Sequence, residues 1–324
     1  MLEKWGRYRL ESLVARGGMA EVFRASRDGP SGFAKPVCLK RIRPELGDDA
    51  EFVAMFEAEA RIAALLQHPN IVQVFDFDRH AGQLFLAMEF VEGLDLRALL
   101  GEVRALGLDL PAPFVLRVAR GLLAALDHAH GLEVDGEPRP VVHRDVSPHN
   151  VLVSVDGQVK LADFGIAKAR GASQATRDGV VKGKLAYLAP EQARGEEVGP
   201  ATDLFGAGVV LYEMLAGRRL FAGANDQEVL ARVLAAEVPP LPGRSEGLRR
   251  LLAGLLAPEP RDRFSSAREA LDALRELDVE PAGEVDAAAL VRAVVALRAR
   301  PGSTGLRPLE SARSDSPAPA AVGA

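Results

Sequence analysis

Asp145, Asn150 and Asp163, all between Val141 and Gly165, are of the types that could hold a hard cation and accept a proton beside it. VLVSV and QVKLADF flank Asp156 and Gly157, the dipeptide that most favours a two-residue hairpin turn. That turn predicts a register in which Val155 faces Gln158, Val153 faces Lys160, and Asn150 stands opposite Asp163 at the open end. Directly opposed residues have Cβ atoms about 5 Å apart, so a carboxylate and an amide oxygen there could reach one cation together. Mg²⁺ carrying phosphate oxygens suits such oxygen donors. Asp145 lies five residues before Asn150 in HRDVSPHN, a loop too polar for a core, and is placed to take up a proton near that metal. Any one of these residues alone fits an ordinary hairpin with polar ends. The three together, with His143, Arg144, Phe164 and Gly165 in frame, do not.

Two more charged residues stand in apolar surroundings. VCLKRI places Lys40 within a strand-like run, where a lone ammonium is unfavourable unless it meets anions. In FVAMFEAEARIAALLQ a helical period sets Phe52, Met55, Phe56, Ile62, Ala63 and Leu66 on one face, with Glu59 inside the stripe. A carboxylate there needs a cationic partner across the packing interface.

The elements that must position these groups divide into two lobes. From Tyr8 to Leu46, β-type runs (YRLESLV, EVFRAS, PVCLKRI) alternate with Gly-containing turns; IVQVFDF and QLFLAMEF follow the helix as further strands. Beyond Pro113 the pattern is mostly helical, and LFGAGVVLYEMLAG reads as a helix buried on all sides. The fold class is therefore α+β, a small β-rich lobe followed by a larger α-helical one.

A length of 324 residues suits two domains, or one large domain in two lobes, and 48% apolar residues supply ample core. Forty Lys and Arg against forty-five Asp and Glu leave a net charge of -5, so no overall basic field recruits nucleic acid or anionic lipid. Cys38 is the only cysteine, which excludes an intrachain disulfide and fits a reducing cytoplasmic setting. No run of about eighteen apolar residues marks a membrane anchor, and the charged start MLEKWGRYRL does not read as a signal peptide. Residues 300–324 read as a disordered tail. Before them, 278–299 reads as one extra amphipathic helix, with Val285, Ala289 and Val295 among its small apolar residues, suited to packing or to a homodimer contact.

With these residues in place, the chain resembles the bacterial eukaryotic-like serine/threonine protein kinases over about Tyr8 to Leu277. His143, Arg144 and Asp145 look like the catalytic-loop HRD, Asn150 like its metal-binding asparagine, and Asp163, Phe164 and Gly165 like DFG. Ala189, Pro190 and Glu191 match APE, Asp203 the aspartate opening the central helix, and Arg263 the arginine that pairs with Glu191. The resemblance implies a bilobal kinase domain over 8–277, lobes about 8–91 and 93–277, using ATP and Mg²⁺ to phosphorylate Ser or Thr of a protein substrate. It implies that Lys40 bridges the α and β phosphates and Glu59, and that Val14, Gly17 and Gly18 border the nucleotide. Met88 would be gatekeeper, Glu89 and Val91 would hydrogen-bond adenine through their backbones, Asp95 would meet the ribose, and Val22, Cys38 and Leu152 would sandwich the base.

Departures from the family pattern motivate an alternative, a nucleotide-binding pseudokinase scaffold. Ala15 and Ala20 replace the outer glycines of G-x-G-x-x-G, leaving Gly17 in frame; nucleotide exchange is expected to weaken, not vanish. Ser147 stands where the family has a lysine that neutralises the γ-phosphate, while Lys184, in GKLAYLAPEQ, takes the place of the threonine facing that lysine. The ammonium is thus expected to have crossed the gap: Lys184 supplies the transition-state charge and Ser147 accepts its hydrogen bond. Thr176, with Ser173 as second candidate, is the expected phosphosite of the activation segment, its phosphate filling a cationic pocket at Arg144. Retention of Lys40, Glu59, Asp145, Asn150 and Asp163 argues for turnover.

Overall fold

A computed structural model describes residues 3–17, 19–47, 49–164, 184–279 and 281–299, with backbone alone at Ser31 and Glu59. The first lobe is one antiparallel sheet of β1 (Lys4–Trp5), β2 (Tyr8–Arg16), β3 (Ala20–Asp28), β4 (Ala34–Ile42), β5 (Val74–His80) and β6 (Gln83–Glu89), in the spatial order β1-β2-β3-β4-β6-β5. Strand alternation gives it two apolar faces. Val37 and Leu39 turn with Phe85 and Ala87 toward Trp5 and Tyr8. Ile42, Leu84, Leu86 and Met88 turn the other way, toward a helix that follows α1 (Pro44–Gly47).

That helix, α2 (Ala50–Leu65), begins at Asp49, whose carboxylate accepts from the amides of Glu51 and Phe52. Phe52, Phe56, Ala60 and Ala63 form its buried row, whereas Ile62, assigned to that row by the sequence pattern, is 42% exposed. Positions 52, 56, 60 and 63 follow one face at helical spacing, and Ile62 falls to the side of it. The outer face is closed by β1, which the strand pattern starting at Tyr8 omitted. Trp5 there is buried beneath the Arg41 guanidinium, 4.7 Å from its ring.

The second lobe opens with β7 (Gly93–Asp95), α3 (Leu96–Ala105) and α4 (Ala112–His130), then a small hairpin of β8 (Glu133–Val134) and β9 (Glu137–Pro138). Next come β10 (Val151–Ser154) and β11 (Val159–Leu161), which join β7 in the sheet order β11-β10-β7. The helices α5 (Pro190–Arg194), α6 (Pro200–Ala216), α7 (Asp226–Ala235), α8 (Glu246–Leu255), α9 (Ala267–Arg275) and α10 (Glu284–Arg298) complete it. Every residue of α6 from Thr202 to Leu215 is buried, as LFGAGVVLYEMLAG predicted. Gly206 on α6 leaves room for the loop carrying Asp145: a Cβ there would lie 2.9 Å from that of Val146.

The β10–β11 register differs from the sequence expectation by one residue. Val153 faces Val159 and Leu152 faces Lys160, so the loop has three residues, not two. Ser154 causes the shift: its Oγ accepts from the amides of Asp156 and Gln158, and its backbone NH donates to Gln158 O. Gly157, at φ +82°, takes the left-handed position that closes such a loop. The helix expected over 278–299 is present only as Glu284–Arg298; Val285 is 81% exposed and the buried stripe is Ala287, Val291 and Val294. That stripe packs on the chain's own second lobe. No helix among the described residues is long and apolar enough to cross a membrane. The tail expected at 300–324 lies outside the described residues.

Candidate active site

The site forms where the two lobes meet, and its base is hung from α6. Asp203, buried in the first turn of α6, accepts from the amides of His143 and Arg144, both at 2.7 Å, and pairs with His130 Nε2 at 2.8 Å. His143 in turn bonds Ala162 O at 2.9 Å through Nε2 and lies edge-on to Phe164. The loop therefore cannot shift without disturbing the second lobe's core. Arg144 and Asp163 both adopt left-handed backbone, φ +63° and +58°. For residues with a Cβ this conformation is strained, and it persists because the surrounding bonds enforce it.

Asn150 Nδ2 donates to Asp145 O at 2.8 Å, which turns its Oδ1 the other way. The amide of Ala162 donates to Asn150 O at 2.8 Å, so Asn150 faces Ala162 and not Asp163 as the two-residue turn had implied. Asp163 is the next residue along, at the same mouth of the hairpin. Lys40 Nζ reaches Asp163 Oδ1 at 2.8 Å. Desolvation works to raise the Asp163 carboxyl, but the Lys40 ammonium outweighs it and holds the group below the usual carboxylate range. An ionised carboxylate beside an amide oxygen is the hard-oxygen donor set that suits Mg²⁺ with phosphate oxygens.

Lys40 on β4 faces Val22 of β3 on one side and Leu86 of β6 on the other, while Cys38 faces Met88. Strand alternation puts all of them on one sheet face. Burial pushes the Cys38 thiol up to about 12, so it serves as a small apolar wall. Leu152 faces Asp95 across β10 and β7, bringing two expected nucleotide contacts together. Asp95 also caps α3, its Oδ1 accepting from the Ala98 amide at 2.7 Å; burial raises its carboxyl above the ordinary value. The Glu89 amide donates to Gln73 O at 2.8 Å. Val91 follows it between β6 and β7, and Val14 lies 42% exposed on β2.

The loop expected to meet phosphate accommodates Ala15 and Ala20 without strain. Gly17 NH bonds Ala20 O at 2.8 Å, and none of Ala15, Gly17 and Ala20 has positive φ. No conformation reserved for glycine is required there. Gly18, Ser173 and Thr176 lie outside the described residues, as does the Glu59 side chain; its helix is present, and the described partner of Lys40 is Asp163.

Lys184, the first described residue after Phe164, places Nζ 2.8 Å from Asp145 Oδ2. The Lys184 ammonium lies beside the Asp145 carboxylate, and Ser147, expected to be its acceptor, is not. Ser147 is fully buried, and its Oγ has no partner among the described residues. The Asp145 carboxylate outcompetes the neutral hydroxyl for the charge. Glu191 and Arg263 form a bidentate pair at 2.7 and 2.8 Å, both almost wholly buried.

Sequence reasoning passed over Lys160. Buried in β11, it pairs with Glu89 at 2.9 Å and ties the hairpin to the segment leaving the first lobe. A lysine alone in QVKLADF was open to the inference that singled out Lys40.

The protein kinase domain family matches residues 8–274. The tyrosine-protein kinase MasK of Myxococcus xanthus is 43% identical over 279 residues, covering 85% of this chain and 43% of that protein. The serine/threonine-protein kinase PknA of Mycobacterium tuberculosis is 38% identical over 275 residues, covering 83% of this chain and 61% of that one. The crystal structure of the M. tuberculosis PknI kinase domain superposes with a TM-score of 0.62 at 30% identity, covering 85% of this chain and 96% of that one. The chain spans about half the length of these curated relatives. A family match across most of the chain, on a fold that brings Lys40, Asp145, Asn150 and Asp163 to one cleft, places this chain in the protein kinase family.

Proposed function

We propose that the chain is an ATP-dependent protein kinase that transfers the γ-phosphoryl group to Ser or Thr hydroxyls of a protein substrate. The observation that carries this reading is the placement of Asp145, Asn150 and an ionised Asp163 at one mouth of a hairpin, with Lys40 reaching the same point. Asp145 orients the acceptor hydroxyl and takes its proton. Lys40 holds the nucleotide phosphates, and Lys184 supplies positive charge beside the transferring group. Mg²⁺, bound through Asn150 and Asp163, would neutralise phosphate charge. Thr176 or Ser173 would take the regulatory phosphate.

A scaffold without turnover finds no support in relatives named as kinases. The acceptor class is the finer question, because one of these relatives is named a tyrosine kinase and the others serine/threonine kinases. The lone Cys38 supports a reducing, cytoplasmic setting.

Intact mass after incubation with Mg²⁺ and ATP, run beside Asp145→Asn and followed by peptide mapping, tests the reading. Phosphate should accumulate on Ser or Thr of the parent, and the variant should be slower by about 10²–10⁴-fold, the usual worth of a positioned general base. Phosphotyrosine alone would reassign the acceptor class. No phosphate on the parent or on a mixed protein substrate, with nucleotide bound, would favour the scaffold.

A further inference from the structure

The matched kinase domain ends at residue 274, yet α10 lies beyond it and packs on the sheet that carries the expected nucleotide contacts. It touches β7, β10 and α3. Its Ala287 and Val291 are wholly buried and belong to the same core as Val151 and Val153 of β10. The fit is closest at the hairpin loop. A Cβ on Gly157 would lie 2.1 Å from Glu284 O and 3.0 Å from Ala288 N, so the first turn of α10 rests on bare backbone. Glycine is required there twice over, by this approach and by its φ of +82°.

Arg117 of α4 fastens the junction. It donates from Nε to Gly157 O at 2.8 Å and from Nη1 to Ala282 O at 3.1 Å, and pairs with the Glu284 carboxylate at 3.2 Å. The Ala282 amide donates to Pro113 O at 2.8 Å. Further along, Arg292 meets Asp156 at 3.0 Å and Arg298 approaches Glu102 of α3 at 3.4 Å. The far end of the hairpin carries Asn150 and Asp163. Its middle sets Leu152 opposite Asp95. A single helix therefore braces the loop end of the hairpin and the strand beside it.

Resting on the kinase reading above, we infer that α10 is a positioning element of the nucleotide site, and that Arg117 is the residue through which it acts. Its docking holds β7 against β10, and so sets the spacing between the base contact at Leu152 and the ribose contact at Asp95.

Arg117→Ala, Arg117→Lys and Val291→Asp variants of the 324-residue chain test this by titration with Mg²⁺-ADP and by steady-state kinetics. Loss of Arg117 should raise the nucleotide Kd and the KM for ATP by about tenfold, the equivalent of one or two net hydrogen bonds, and leave the KM for the protein acceptor unchanged. Arg117→Lys should recover part of the loss. Val291→Asp, which puts a charge at a wholly buried position of α10, should reproduce the effect without touching Arg117. A merely structural role would lower the competent fraction, and with it kcat, while the remaining fraction bound nucleotide normally. Nucleotide affinity equal to the parent in both Arg117→Ala and Val291→Asp, with limited proteolysis showing residues 281–299 released, would overturn the inference and leave the kinase reading intact. A parent that bound no nucleotide would overturn both.

Discussion

Lys184→Thr is expected to lower kcat by about 10²–10³-fold, the range seen when one preorganised donor to a developing anion is removed. The ammonium sits 2.8 Å from Asp145 Oδ2, and on the proposed mechanism it stands beside the transferring phosphoryl group. The Lys184 side chain is 31% exposed and that of Asp145 14%, so the charge acts in a partly shielded space, where it is worth more than on the open surface. Ser147, one turn of loop away from Asp145, has only a neutral and fully buried hydroxyl to offer. Ser147→Lys alone should also lower turnover, because it forces a second ammonium into the same space. The double replacement restores the usual family arrangement and should recover part of the activity, giving a coupling energy well outside additivity. Additive losses with no recovery would remove Lys184 from the mechanism. The sign of the single effect is equally informative. If Lys184 served only to occupy the base, Lys184→Thr would free Asp145 and raise kcat.

The largest expected loss of stability comes from Arg263. Its guanidinium is fully buried and every donor direction is used: Glu191 twice, and the carbonyls of Ala201, Ala257 and Pro258, over the ring of Phe205 at 4.8 Å. Arg263→Ala leaves the Glu191 carboxylate buried with Thr202 Oγ1 as its one remaining side-chain donor among the described residues, and breaking such a pair costs about 3–5 kcal/mol. For a lobe of this size that corresponds to a fall in Tm on the order of 10 °C, measured by differential scanning calorimetry. A fall of a degree or two would mean that the site relaxes to admit water. The pair also sets a pH dependence. Burial works to raise the Glu191 carboxyl, but bonds from Arg263 hold it below the ordinary range. A depressed folded value contributes stability that is present above the unfolded carboxylate range, about pH 4 and upward, and is lost as the pH falls toward the folded value. The gap between parent and Arg263→Ala should accordingly narrow in acid.

Two of the chain's Asp-Gly dipeptides show how far local sequence carries. They are Asp135–Gly136, not singled out in the sequence, and Asp156–Gly157, read there as a two-residue turn. The first is one, with φ of +54° and +79° and Val134 facing Glu137. At the second, Ser154 Oγ captures two amides and adds a residue to the loop. Side-chain competition for backbone donors is local in space but not in a dipeptide rule, so the register was misread by one while both strands were found. The same limit applies to α2, where period alone chose Ile62 over Ala60. Lys40 was legible because a charge in an apolar run demands a partner, and Asp145, Asn150 and Asp163 because their order around one hairpin is specific. What lay out of reach were contacts made across long separations, such as β1 over Arg41 and α10 on Gly157. Nothing near either segment in the sequence names the surface that receives it.

Trp5 is the only tryptophan of the chain, and it lies in the smaller lobe, buried between Arg41 and His80. The chain thereby carries a built-in optical reporter with a known address. Its emission follows the packing of the outer face of the first sheet and is blind to the environment of α6. Fluorescence and far-ultraviolet circular dichroism recorded on one Arg263→Ala sample should therefore separate if the lobes unlock one at a time, with ellipticity falling while the indole signal stays native.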